Sequence, residues 1–204
     1  MNFLAKAALV LALSLPVAAH AATLTSVSSG STMVGDTNNI APTTGTSGIA
    51  SNGAYASNGD AGATDPSSQW VWTGKGSNSP TSAVYTFSFD LTGFDLTTAV
   101  LSGVWGVDNN GTVSLNGNKI AELLGSDEQN FRTLHAYGTD HDAFFLSGLN
   151  TLTFSLFDTG RPAAFRATAE VMAEVSAVPV PASGVLLFGA VFAAAFAARR
   201  RKAA

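Results

Sequence analysis

Asp140-His141-Asp142 sets three potential metal ligands in consecutive positions, and Asp127, Glu128 and His135 lie in the same connection. Zinc needs three or four preorganised donors. In an extended segment alternate side chains point to opposite sides, so His141 would face away from its two neighbours, and a solvated loop histidine is the plainer reading. A second set, Phe131, Arg132, His135 and Tyr137, has the makings of a sugar platform. An aromatic ring can take the apolar face of a pyranose while a guanidinium or imidazole takes its hydroxyls. Loop aromatics also serve to pin a loop to the core, and Trp105, in the most apolar segment, reads as core. No Gly-x-Ser-x-Gly elbow, H-E-x-x-H, phosphate loop or dinucleotide fingerprint occurs. Nothing singles out a carboxylate pair of the kind glycoside cleavage uses, so the chain reads as non-enzymatic, with a polysaccharide hydrolase as the remaining enzymatic alternative.

The elements that must position these residues read as strands. Residues 22–68 form a Ser/Gly/Asn-rich lead without helical periodicity, with short strands expected near Thr25–Val27 and Ala54–Ser57. From Gln69 the pattern changes. Tyr85, Phe87, Phe89 and Leu91 alternate with Thr86, Ser88 and Asp90, the period of a half-buried strand. Ala99–Val107 is nearly continuously apolar and predicts a central strand buried on both faces. Asp108-Asn109-Asn110-Gly111 supplies a turn, and Asn116-Gly117 is a strong hairpin signal because both central residues of a type I′ turn need positive φ. Lys119-Ile120-Ala121 pairs back. A polar connection, Gly125–Asp142, leads to Ala143–Leu146, and two further alternating runs, Leu149–Phe157 and Phe165–Val171, complete residues 69–176. Short strands joined by Gly/Asn turns, with no amphipathic helix, predict an all-β antiparallel sandwich.

The charge is unevenly placed. Of ten Lys/Arg, five lie near the two ends (Lys6, Arg199, Arg200, Arg201, Lys202), whereas all fourteen Asp/Glu lie between them. Five cations against fourteen carboxylates leave the body at −9, a surface that repels nucleic acid and suits a neutral glycan or a divalent cation. With no cysteine, packing or metal must hold the domain, and thiol catalysis and Cys-ligated zinc are excluded.

The two ends read as addresses. Lys6, the apolar stretch Ala7–Val17 and Ala19-His20-Ala21 have the form of a signal peptide over residues 1–21, with cleavage after Ala21. At the other end stand Val178, Pro179, Val180, Pro181 and Ala182, within a motif at 178–184. An apolar run at 182–198 follows, roughly 26 Å long as a helix and just able to span a bilayer, and then Arg199, Arg200, Arg201 and Lys202. The cations place that end in the cytoplasm and the body outside. This tail, residues 177–204, resembles the PEP-CTERM class of bacterial sorting signals, most closely its VPLPA-type variant, with Val180 where the variant has Leu. The resemblance implies a membrane-embedded exosortase as partner. It also implies transit through the inner membrane by the C-terminal helix, then release to the cell envelope, outer surface or extracellular matrix.

The body carries a second resemblance. Val107–Gly117, with its D-N and N-G elements, followed by Gly148-Leu149-Asn150-Thr151-Leu152-Thr153-Phe154, is similar to the galactose-binding-like jelly roll. Gly160-Arg161-Pro162-Ala163 departs from that family's usual final turn. The likeness implies a jelly-roll β-sandwich and a possible structural calcium ion, with Glu170 on the final strand and Asp60 or Asp65 as carboxylate ligands. The chain is thus expected to be an exported, non-catalytic surface or exopolysaccharide-associated module. A carbohydrate-binding module with a defined glycan, held by the Gly125–Asp142 loop, is the alternative.

Overall fold

The computed structural model describes residues 22–29, 36, 38–50, 68–74, 81–124, 130–160 and 162–176. Ala19, Ala21, the strand expected at Ala54–Ser57, Asp60, Asp65, Asp127, Glu128 and the whole tail from Val178 to Lys202 lie outside them. Among the described residues no helix is long and apolar enough to cross a membrane.

Eleven strands are described: β1 Ala22–Ser28, β2 Ala41–Pro42, β3 Ser47–Ile49, β4 Val71–Thr73, β5 Ser82–Asp90, β6 Phe94–Asp108, β7 Asn110–Leu115, β8 Asn118–Leu123, β9 His135–Thr139, β10 Leu149–Phe157 and β11 Ala164–Val175. They form an antiparallel jelly-roll β-sandwich. One sheet runs β3-β4-β11-β6-β9, with β1 also on β11, and the other runs β2-β5-β10-β7-β8.

Alternation explains the packing. Tyr85, Phe87 and Phe89 of β5 and Leu152, Phe154 and Leu156 of β10 are buried, while the residues between them face out. Phe154 sits at the centre of the core, with ring centroids 4.9 Å from Phe165, 5.6 Å from Tyr137 and 6.1 Å from Trp105. Close approach of backbone requires Gly103, since a Cβ there would lie 2.1 Å from the Thr168 carbonyl oxygen and 2.7 Å from the Tyr137 ring.

Two expectations change. Strand β6 is buried on both faces only from Trp105 onward. Trp70 and Leu134 cover its outer face at Gly106, where an added Cβ would meet them at 2.8 and 3.0 Å, and the preceding outward residues stay half-open. The polar connection 125–142 contains β9, an edge strand paired with β6 from Leu101–Thr139 to Trp105–His135. The strand expected near Thr25–Val27 lies within β1, and the lead joins the sandwich: β1 pairs with β11, β2 with β5 and β3 with β4.

The N-G hairpin is as expected, with Asn116 at φ 50 and Gly117 at φ 84. The structure also supplies a reason for the asparagine pair in the jelly-roll pattern. Asn116 Nδ2 donates to Asn150 Oδ1 at 2.7 Å and to the Phe144 carbonyl at 2.8 Å, and Asn116 Oδ1 accepts from the Thr151 amide at 2.8 Å. Asn150 Oδ1 accepts from the Leu146 amide, and its Nδ2 donates to the Leu146 and Gly148 carbonyls, each at 2.8 Å. Two side chains thereby staple the β7–β8 hairpin to the loop before β10. Asp142–Phe144 in that loop is a single 3-10 turn.

Candidate functional site

The sandwich has two unlike ends. At the first, β1 begins and β11 finishes, since Ala22 pairs with Ala173 and Val175 with Phe94. At the opposite end the β6–β7 crossing, the segment after β8 and the β10–β11 loop meet around amide side chains. Asn109 Oδ1 accepts from the Thr159 amide at 2.9 Å and hydroxyl at 2.7 Å, and its Nδ2 donates to Asp108 Oδ1 at 2.7 Å. Buried Asn130 donates through Nδ2 to the Asn109 and Leu124 carbonyls, both at 2.8 Å, while its own carbonyl accepts from the Val107 amide. Arg166 is only 2% exposed, and its Nε donates to Ser68 Oγ at 2.8 Å.

This network fixes the turn that carries Phe131 and Arg132. Phe131 is half-buried against Trp70, Leu134 and Ala164. The exposed Arg132 guanidinium lies 5.7 Å from the Phe131 ring centroid, a cation–π pair that holds a donor fork at the rim. These two of the four proposed sugar ligands are together and accessible.

The other two are elsewhere. Tyr137 belongs to the core, correcting its assignment as a ligand: it is 6% exposed, packs edge-on to Phe154, and its hydroxyl donates to the Thr168 carbonyl at 2.7 Å. Burial pushes its phenol pKa well above the ordinary value. His135 pairs with Trp105 and points to the same inward face, half-buried, with Nε2 enclosed and lacking a hydrogen-bond partner. Asp140-His141-Asp142 lies at the first end. There His141 stacks on Phe144 at 4.6 Å and its Nδ1 is 3.5 Å from Asp142 Oδ1. Glu170 is half-buried on the outward face of β11, flanked in register by Ser26 and Ser102. Among the described residues no three His, Asp or Glu side chains group as a metal site.

Sequence reasoning missed the network of Asn109, Asn130, Ser68 and Arg166. The Asp108-Asn109-Asn110-Gly111 cluster was its visible sign, and only the fold brings Asn130 to it. It also passed over a surface built by strand register. On the outer face of β5, β10 and β7, Thr86, Thr153 and Ser114 stand in one row, Ser155 and Thr112 in the next, and Ser88 and Thr151 in a third. Neighbouring strands lie ~4.8 Å apart, so hydroxyls recur across the sheet. The alternation along β5 had already marked Thr86 and Ser88 as outward, and the alignment of the other hydroxyls beside them came with the register.

Comparison with known proteins agrees at the tail. The family described as PEP-CTERM protein-sorting motif matches residues 177–202. No curated protein matches the chain. Among solved structures, a family 35 carbohydrate binding module from an environmental isolate has 16% identity and a TM-score of 0.32, covering 65% of this chain and 93% of that one. A β-D-mannosidase from Dictyoglomus thermophilum has 22% identity and a TM-score of 0.30 over 38% of this chain, which spans 9% of that enzyme's length. The chain carries, over residues 177–202, a PEP-CTERM protein-sorting motif, which marks it as an exported protein sorted to the cell envelope.

Proposed function

We propose that this protein is a non-catalytic module of the cell envelope or extracellular matrix that associates with exopolysaccharide. The sorting motif at 177–202 carries the reading: the apolar run at 182–198 holds the body at the inner membrane until an exosortase removes it. The hydroxyl rows of β5, β10 and β7 support the polysaccharide partner. They offer donors and acceptors without charge on a body whose net charge is −9, as a neutral polymer of hydroxyls requires. Thr methyl groups between them supply apolar contact for sugar C–H faces.

The alternative, a defined glycan bound at the Phe131–Arg132 rim, is favoured by that exposed cation–π pair. Retention of the native protein on the host's exopolysaccharide separates the two. Replacing Thr86 and Thr153 together by Val keeps β-branched side chains on the strands but removes two hydroxyls. On our reading this weakens retention at least about fivefold, and Arg132→Ala leaves it unchanged. The reverse pattern would move the site to the rim, and no retention of the wild-type protein would defeat both readings.

A further inference from the structure

The sandwich gives the sorting tail no linker. The Ser176 amide donates to the Gly93 carbonyl at 2.9 Å, and the motif begins at residue 177. The apolar run at 182–198 follows within six residues of Ser176, at most about 22 Å of extended chain. Ala22, where the described chain enters β1, lies at this same end, paired with Ala173. Any enzyme that cuts between the body and the apolar run must therefore work against the folded end of the sandwich.

That end is apolar where it should be solvated. Leu149 is 67% exposed, Val175 60% and Leu146 51%. Hydrogen bonds bring their segments together: the Leu91 amide donates to the Gly148 carbonyl, the Phe94 amide to the Leu91 carbonyl, and Asn150 clasps Leu146. Exposed carboxylates flank the patch. Asp90 and Asp95 are held below the usual carboxylate range by hydrogen bonds from the hydroxyls and amides of Thr92 and Thr97 respectively, so they remain ionised. Such a rim is repelled by anionic lipid headgroups and complements a protein surface bearing cations.

We infer that the tail-bearing end of the sandwich, centred on Leu146, Leu149 and Val175, is a docking surface for the membrane-embedded enzyme that processes the tail. Docking there sets the motif at a fixed distance from the enzyme's reactive groups, so that recognition uses the folded body as well as the motif. The inference rests on the reading that the tail is processed.

The test follows conversion of the pulse-labelled full-length chain to its shortened form in the native host. Leu146→Ser with Leu149→Ser should slow conversion at least about fivefold. Leu124→Ser, exposed at the opposite end, should convert at the wild-type rate. Wild-type conversion by the double variant would overturn the docking surface. A wild-type chain that never shortens would instead overturn the processing reading beneath it. A photocrosslinking side chain at Leu149 in the full-length protein supplies a readout independent of folding in the double variant. It should trap the processing enzyme, and crosslinks to lipid alone would assign this end to the bilayer and overturn the proposal.

Discussion

Tyr137 and Arg132 lie five residues apart and have opposite roles. Truncating Tyr137 to Ala removes a core ring that packs on Phe154 and a hydroxyl that satisfies the Thr168 carbonyl. It should cost about 3–5 kcal/mol in urea denaturation. Arg132→Ala, at the exposed rim, should change stability by less than about 0.5 kcal/mol. A sugar platform made of both was readable from residue types, but burial depends on which partner strand lies opposite, and Gly103 is what lets the Tyr137 ring in. Tyrosine burial also sets a pH limit. The Tyr85 phenol is pushed up to about 12 by burial, against the opposing effect of its hydrogen bond with Ser47. Because the unfolded chain loses this proton near 10, the stabilisation is complete below that pH and declines as pH rises toward 12. Melting temperature measured from pH 8 to 12 should fall across that window, and Tyr85→Phe should make the fall shallower.

At the scale of elements, the Asn116–Asn150 staple couples the hairpin to β10. Asn150 is fully buried and all its side-chain hydrogen-bonding groups are used. Asn150→Ala leaves several buried partners unsatisfied, and about 2–4 kcal/mol of destabilisation is expected from chemical denaturation. Gly103→Ala tests the β6–β9 and β6–β11 contacts: its Cβ would drive into the Thr168 carbonyl and the Tyr137 ring, with an expected loss of about 1–3 kcal/mol. Strands β5 and β10 were legible because each alternates several large apolar residues with polar ones, and β11 because Phe165, Ala167, Ala169 and Val171 alternate with Arg166, Thr168 and Glu170. Strand β9 was not, because His-Ala-Tyr-Gly-Thr carries one large apolar ring and its pairing with β6 is long-range. Strands β2 and β3 are two and three residues long, too short for any periodicity to register.

The whole molecule is polarised. Both ends of the described body lie at one pole, beside the exposed Leu146, Leu149 and Val175, while the amide network and the Phe131–Arg132 rim occupy the other. The tail was legible from its proline motif, apolar run and basic cluster because such signals are read as linear sequence. The polarity was not, since it follows from which strands begin and end the sheet on either side of β11. On the proposed function, the tail delivers the body and is then removed. Intact-mass and terminal-peptide analysis of the protein recovered from the native envelope tests it most directly. The expected result is a chain beginning at Ala22 and lacking Arg199–Lys202. A stable envelope form that retains those four cations would contradict it and make the apolar run a permanent anchor.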